Sequence, residues 1–245
     1  MRNIEITLRE ILISIVIVLV MVGLGFFLAE SIHDTVTSDN EKYFKALKVD
    51  NNPDLFDYAI RTDVGDMLSY GQFKANEPVS DRLIKGKYYS INKTEEHYTM
   101  HTRTVTYKCG KHTCTRTEVY WTWDYVGEED FNTKTFTYLG REFNYNKIHF
   151  YNYEYYDTVQ TSSHVRFKIY IIPREFNGTL YSKASNKTIK DNSLYANQKI
   201  KEVIDGKEHS ADHWVIGFWI AWSILIAAIV FIFIALDNKY INNKR

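Results

Sequence analysis

The stretch YTMHTRTVTYKCGKHTCTRTEVYWTWDY, residues 98–125, alternates side-chain types on both sides of a short segment bounded by two cysteines. Alternation with a period of two, in residues rich in Thr, Tyr, Trp and Val, is typical of half-buried β-strands. We therefore predict a β-hairpin in which Cys109 faces Cys114 across the four-residue loop 110–113. A disulfide there would pin the hairpin tip and add about 2 kcal/mol or less, because the closed loop is short.

This register predicts one apolar face, made by the pairs Thr104–Val119, Thr102–Trp121, Met100–Trp123 and Tyr98–Tyr125. It predicts a second face made by the pairs Tyr107–Arg116, Val105–Glu118 and Arg103–Tyr120. A slip of one residue would invert the two faces, so the cysteine register and the apolar pattern support each other. Four residues of the second face are candidates for a binding surface: Tyr107, Arg116, Arg103 and Tyr120.

The region from Lys87 to Ile172 is β-like throughout, and Pro173 ends an alternating strand that begins at Val165. A further aromatic stretch, 143–155, also has period two. It is either a packed face of the sheet or a platform for a ligand. Three of its residues, Tyr151, Tyr153 and Tyr155, are added to the binding-surface candidates.

Three helices are expected around this β region. One begins at the Asn52-Pro53 cap, carries apolar residues to Leu68 and ends at Gly71. A shorter one is expected over residues 40–48. The third would be capped by Asn192 or Ser193 and end at Gly206.

Two uncharged apolar runs lie near the ends of the chain, 19 residues from Ile11 to Ala29 and 23 from Trp214 to Leu236. A helix rises about 1.5 Å per residue and the bilayer core is about 30 Å thick, so both runs are long enough to span it. Buried core helices are the alternative for both, and a cleaved signal peptide is the alternative for the first. We expect an uncleaved anchor.

Basic residues lie on the outer flanks of these runs, at Arg2, Arg9, Lys239, Lys244 and Arg245. The positive-inside rule therefore predicts that both termini are cytoplasmic and that the central domain is extracytoplasmic. Three tryptophans at the predicted outer end of the second run are expected as interface anchors: Trp214, Trp219 and Trp222.

The expected organisation is a membrane-anchored α+β protein with two transmembrane helices flanking a mainly antiparallel β domain. Its predicted parts are a tail over 1–10, helices over 11–29 and 214–236, an extracytoplasmic domain over 30–213 and a tail over 237–245. Lys and Arg together number 30, and Asp and Glu together also number 30. The chain therefore has no excess of positive charge that would suggest a nucleic-acid partner. The lipid bilayer, an unidentified protein or envelope partner and a second copy of the chain are the expected partners.

Metal ligation is the alternative reading of the cysteine segment. The residues with suitable side chains are His97, His101, Cys109, His112 and Cys114. A straight strand would hold the two histidines at 97 and 101 about 13 Å apart, too far for one zinc ion. An oxidising compartment also favours the disulfide. We expect no cofactor and no catalytic residue, because the chain carries no nucleophile, phosphate-binding or metalloprotease motif.

Three asparagines, Asn92, Asn177 and Asn186, match the N-glycosylation pattern, which matters only in a host that glycosylates.

The strands at 101–107 and 120–124, with the segments 136–140 and 143–148, resemble uncharacterised two-helix membrane proteins of Gram-positive bacteria and their phages. The resemblance covers the middle third of the chain and implies no activity. The expected function is a non-enzymatic binding or structural module of a cell envelope or phage membrane. The alternatives are an oligomeric membrane-perturbing or pore-forming protein and a metal-dependent envelope enzyme.

Overall fold

The computed structural model describes residues 7–244, with no side chains described for 241–244. Arg2 and Arg245, and the side chain of Lys244, thus lie outside the described residues. The elements in chain order are α1 Leu8–Lys45, β1 Leu47–Asp50, α2 Pro53–Arg61, β2 Gly65–Ala75, β3 Tyr88–Cys109, β4 His112–Asn132, β5 Thr135–Tyr138, β6 Arg141–Asn144, a 3-10 turn Tyr145–Lys147, β7 Glu154–Ser162, β8 Val165–Pro173, β9 Glu175–Ser185, β10 Thr188–Ala196, α3 Ile200–Glu208 and α4 Ser210–Lys244.

The chain divides into two compact units. The first contains the terminal segments 1–45 and 201–245, and the second contains residues 46–200. Two helical stretches, Leu8–Lys45 and Ile200–Tyr240, are long and apolar enough to cross a membrane. They suggest a two-pass membrane protein, as the sequence predicts.

In the first unit, α1 and α4 pack antiparallel. The Arg9 guanidinium donates to both carboxylate oxygens of Asp237, at 2.7 and 2.6 Å. Near the other end of the pair, Asn40 Nδ2 donates to Ser210 Oγ at 2.6 Å. The short helix expected over 40–48 is wrong, because α1 continues without a break to Lys45.

A close approach of the helices occurs at Gly25. A Cβ built there would lie 2.7 Å from Trp222 Nε1 and 2.9 Å from Trp219 Cη2. The same Trp222 indole N–H donates to the Met21 carbonyl at 3.0 Å. Small residues that admit a bulky neighbour are typical of helix contacts in lipid, where packing replaces the hydrophobic effect. Trp219 and Trp222, two of the three tryptophans expected as interface anchors, therefore pack against α1 at Gly25.

The second unit contains two sheets. One has the order β10-β9-β2-β5-β6, with β1 added parallel to β2, and the other has the order β4-β3-β8-β7. All pairings except β1–β2 are antiparallel. The mainly antiparallel β domain expected from the sequence is thus present.

An aromatic core joins residues of the two sheets. Phe73 of β2 stacks on Tyr138 and on Phe176, with ring centroids 4.1 and 5.0 Å away. Tyr89 of β3 and Ile172 of β8 belong to the same buried cluster. Stacked and edge-to-face rings add about 0.5–1.5 kcal/mol per pair beyond the burial of their area.

Two of the expected helices are shorter than predicted. The Asn52 cap is correct, since its Oδ1 accepts from the Leu55 N–H at 3.0 Å, but α2 ends at Arg61. The apolar residues that follow belong to β2, which lies between neighbouring strands and buries Met67, Leu68 and Ser69 consecutively. A strand buried on both faces loses its alternation and mimics a helical pattern. Likewise, residues 188–196 form β10 and the helix begins only at Ile200.

Candidate functional site

The hairpin of β3 and β4 extends beyond the rest of its sheet. Pairing of β3 with β8 ends at His97 and Val165, whereas pairing with β4 continues to Cys109 and His112. The two-stranded part, residues 98–109 and 112–123, is called the ribbon below. At about 3.4 Å per residue each arm is about 40 Å long. An isolated two-stranded ribbon is marginally stable in water, so its own side chains must hold it together.

The predicted register of the ribbon is wrong by two residues. Cys109 lies opposite His112 rather than Cys114, and only Gly110 and Lys111 form the turn. Gly110 has φ +68°, which suits the first position of a tight two-residue hairpin turn. Because a shift of two preserves the side on which each residue lies, the predicted division into two faces is confirmed.

The cysteines pair diagonally. Cys109 and Cys114 lie on the same face at disulfide-bonding distance, with their Cα atoms 5.9 Å apart. Such a link closes the ribbon beside its turn, where strands otherwise fray.

One face of the ribbon, called the ladder face, carries the four binding candidates of the hairpin. Arg103 lies directly opposite Glu118, and the two side chains bond at 3.0 Å. Arg116 bonds the other Glu118 oxygen at 2.6 Å and covers the Tyr107 ring at 5.6 Å. Arg103 in turn lies 5.8 Å from the Tyr120 ring. The four candidates thus contact one another or share a partner.

The ladder continues towards the base of the ribbon. His101 stacks on Tyr120 with centroids 5.4 Å apart, and its Nε2 lies 2.5 Å from Asp124 Oδ2. Thr99 and Thr122 donate to the same carboxylate. The hydrogen bonds from Thr122 and His101 lower the pKa of Asp124 below its usual range. The hydrogen bonds from Arg116 and Arg103 lower the pKa of Glu118 in the same way.

The opposite face, called the open face, carries exposed apolar surface. Met100, Val119 and Trp121 are 57%, 58% and 46% exposed and lie on adjacent pairs of the register. Tyr98 stacks on Trp121 at 5.3 Å and packs on Trp123 at 5.1 Å. Towards the tip the same face holds a row of threonines, at positions 102, 104, 106, 113, 115 and 117. Contiguous exposed apolar groups with a polar surround are typical of interaction surfaces.

Buried charges anchor the base of the hairpin. Lys93 Nζ lies 3.0 Å from Asp81 and 2.9 Å from Glu129. Burial lowers the pKa of Lys93, but the hydrogen bonds to Glu129 and Asp81 outweigh burial and raise it. Burial raises the pKa of Asp81, but the Leu83 N–H and Lys93 outweigh burial and lower it. The segment between β2 and β3 is thereby tied to the sheet.

A second cluster lies on β3 and β8. Glu96 accepts from Arg166 at 2.6 Å and from Lys168 at 2.7 Å, and these bonds lower its pKa although burial raises it. The Arg166 guanidinium also lies 4.3 Å from the Trp123 ring, at the base of the open face.

The metal alternative finds no support in the geometry. Within residues 7–244, no group of three His, Cys, Asp or Glu side chains converges on a common point suited to a metal ion. His97 pairs with Glu95 at 2.7 Å, His101 pairs with Asp124, and the cysteines face each other.

The three tyrosines of the 143–155 stretch have different surroundings. This stretch is not one strand, because the 3-10 turn and an extended segment separate β6 from β7. Tyr151 is exposed and packs on His149 at 4.2 Å. Tyr155 is exposed and bonds Thr158 at 2.8 Å. Tyr153 is half-buried, and its hydroxyl bonds Ser90 Oγ at 2.7 Å.

Tyr153 also lines a polar cavity of about 510 Å³, which sequence reasoning missed. Its other walls come from β3, from β4 and from the segment 145–150. Asn92, one of the three glycosylation matches, belongs to these walls, and its Nδ2 donates to Asp130 at 2.8 Å. That amide nitrogen is therefore already occupied within the fold.

Comparison of the chain with models of protein families, with curated proteins and with solved structures finds no match.

Proposed function

We propose that this chain is a non-enzymatic, membrane-anchored binding module that presents the open face of its ribbon to a protein partner. The proposal rests on one observation above all. On the ladder face the charges bond one another and the exposed rings of Tyr107 and Tyr120 lie under arginines. On the open face Met100, Val119 and Trp121, each about half exposed, form a contiguous apolar patch. An extracytoplasmic position of the ribbon, which the basic flanks favour, belongs to the same proposal.

The ribbon also offers a free strand edge. Within the described residues β4 pairs only with β3, so its outer edge carries unpaired backbone groups. Edges of this kind accept an added strand from a partner, with specificity supplied by alternate side chains. The open face would then contribute apolar area and the edge would contribute backbone hydrogen bonds.

Site-specific photo-crosslinking tests this proposal. Trp121 and Tyr120 are neighbours in sequence, point to opposite faces and are 46% and 41% exposed. Each would be replaced by benzoylphenylalanine in the full chain, in the membranes of the cells that carry the gene. We expect a protein adduct of defined mass from position 121 and little from position 120. Equal labelling from both positions, or none from 121, would contradict a role of the open face.

The mass of the adduct separates the alternatives. An adduct of twice the chain mass would identify a second copy as the partner. A series of adducts with masses at higher multiples of the chain mass, together with ion leakage from the cells, would instead indicate the pore-forming alternative.

A further inference from the structure

The polar cavity is distinct from the ribbon faces and is built from groups far apart in sequence. Asn92 comes from β3, Asp130 and Asn132 come from β4, and Tyr145 and Asn146 come from the 3-10 turn. Its volume of about 510 Å³ lies within the range of about 300–1,000 Å³ that is usual for small-molecule sites.

The walls carry polar atoms that the fold leaves available. Asn92 Nδ2 donates to one oxygen of Asp130, and Ser90 Oγ donates to Asn132 Oδ1 at 2.5 Å. In the part of the chain that the structure describes, Asp130 Oδ2 and Asn132 Nδ2 have no such partner. A carboxylate oxygen accepts and an amide nitrogen donates, so both halves of a hydroxyl group's hydrogen-bonding capacity can be met.

The remaining wall consists of Ile148 and several aromatic rings, of which Tyr145 is held in place. Tyr145 stacks on Phe150 with centroids 5.3 Å apart, and its hydroxyl lies 3.5 Å from that of Tyr153. Burial and the hydrogen bond with Tyr153 raise the pKa of Tyr145, so its hydroxyl stays a neutral donor. Rings held this way lose little entropy when a ligand binds.

Unsatisfied buried groups surround the same segment. The Tyr89 hydroxyl belongs to a ring packed on Tyr145 and Phe150, and it is buried with no hydrogen-bond partner among the described residues. Among the same residues, Asn152 Oδ1 and Asn192 Oδ1 are also buried without a partner, whereas Asn192 Nδ2 donates to the Lys147 carbonyl. Buried polar atoms are normally paired, so this part of the fold is richer in polar groups than its internal bonds require.

Charge narrows the ligand class. In the described lining, Asp130 is the one acidic residue, His149 is the one basic residue, and no Lys or Arg is present. A phosphate or carboxylate ligand would meet repulsion from Asp130 with no Lys or Arg to offset it. A purely hydrocarbon ligand would leave the amides and the carboxylate desolvated. A sugar ring, in contrast, offers C–H groups to an aromatic face and hydroxyls to amides and carboxylates.

We infer that this cavity binds a short, neutral oligosaccharide. Asp130, Asn132 and Asn146 supply the polar contacts, and the Tyr145 ring supplies the apolar one. The inference does not depend on the ribbon, because its residues lie on neither ribbon face.

The test uses the full chain in nanodiscs, prepared without maltoside or glucoside detergents, whose sugar head groups would compete. Chitotetraose, cellotetraose and maltotetraose are titrated by calorimetry, with saturation-transfer NMR for weak binding. We expect at least one tetrasaccharide to bind with a Kd below about 1 mM, equivalent to about −4 kcal/mol. Binding of none of the three overturns the inference, as does tighter binding of polyglycerol phosphate than of any of them.

Two matched pairs of variants locate the site. Asp130→Asn and Asn146→Ala change the cavity, while Asp157→Asn and Asn144→Ala change exposed residues outside its described lining. We expect at least tenfold weaker binding for the first two and less than a twofold change for the controls, with unfolding midpoints like that of the unchanged chain. Equal effects within each pair would overturn the inference. Trp121→Ala should leave saccharide binding unchanged, so this test and the crosslinking test can fail independently.

Discussion

Replacing Lys93 by Met should destabilise the β unit more than any surface change of the same kind. The Lys93 side chain is 8% exposed and that of its partner Asp81 is 7% exposed. Methionine fills a similar volume but removes the cation. Asp81 then stays buried near the like charge of Glu129 and loses its hydrogen-bonded cation, so that only the Leu83 N–H and the charge of Arg82 still stabilise its carboxylate.

The expected magnitude follows from the burial of the pair. Removing one partner of a buried ion pair costs about 3–5 kcal/mol, because the other charge remains desolvated. With a urea m-value of about 2 kcal/mol/M, the midpoint should fall by about 1.5–2.5 M. Pulse proteolysis of the full chain in micelles measures the folded fraction of the β unit at each urea concentration.

Lys134→Met is the matched control, since the Lys134 side chain is 83% exposed and lies 3.6 Å from Glu77. Exposed pairs contribute about 0–1 kcal/mol, so its midpoint should move by less than about 0.5 M. The double variant Lys93→Met with Asp81→Asn should recover part of the loss. A midpoint shift of the single Lys93 variant no larger than that of the control would refute a stabilising role of the buried ion pair.

Three further predictions concern other parts of the chain. Gly25→Leu should separate α1 from α4, because even a Cβ at that position would lie 2.7 Å from the Trp222 side chain. Gly23→Leu is the control and should leave the helices in place, since a Cβ there meets open space. Electron–electron distance measurements between spin labels on the two helices check both outcomes. The double change Cys109→Ser and Cys114→Ser should cost about 2 kcal/mol or less and speed hydrogen exchange at the ribbon tip but not at its base. Because the pKa of Asp81 is lower in the folded chain than its value of about 3.9 in the unfolded chain, the ionised carboxylate stabilises the fold above that pH. The urea concentration at the unfolding midpoint should therefore decrease as the pH is lowered below about 4, and it should decrease less in Asp81→Asn.

The sequence predicts the faces of the ribbon better than its register. Face assignment depends only on whether a position is odd or even, and the alternation of Met100, Val119 and Trp121 with more polar residues such as Thr99, Glu118 and Thr122 sets it. Register depends on the number of turn residues. The structure has a two-residue turn at Gly110 and Lys111, so the cysteines are not directly opposite each other. They still come within disulfide-bonding distance, because a diagonal pair in a hairpin is close enough.

The polar cavity could not be predicted, because no local pattern links its residues. Asn92 and Asp130 become neighbours only through the pairing of β3 with β4, and Tyr145 joins them through the turn after β6. The period-two aromatic stretch pointed to Tyr153 but also to Tyr151, which is exposed. The sequence does carry a signal for the buried ion pair: Lys93 follows the core residue Ile91 at the two-residue period of β3, and a charge in a buried strand requires a partner.

The open face alone is too small to hold a partner firmly. Fully burying a large apolar side chain contributes about 1.5–3 kcal/mol, and Met100, Val119 and Trp121 are each about half exposed. Together they can add about 2–4 kcal/mol, less than the roughly 4–15 kcal/mol that association costs in lost freedom of motion. In the proposed function, backbone bonds along the edge of β4 and confinement to the membrane would supply the rest. Confinement raises the effective concentration of the ribbon near a partner in the same membrane, without any new contact. A ribbon freed of its helices should accordingly bind such a partner far more weakly than the full chain does.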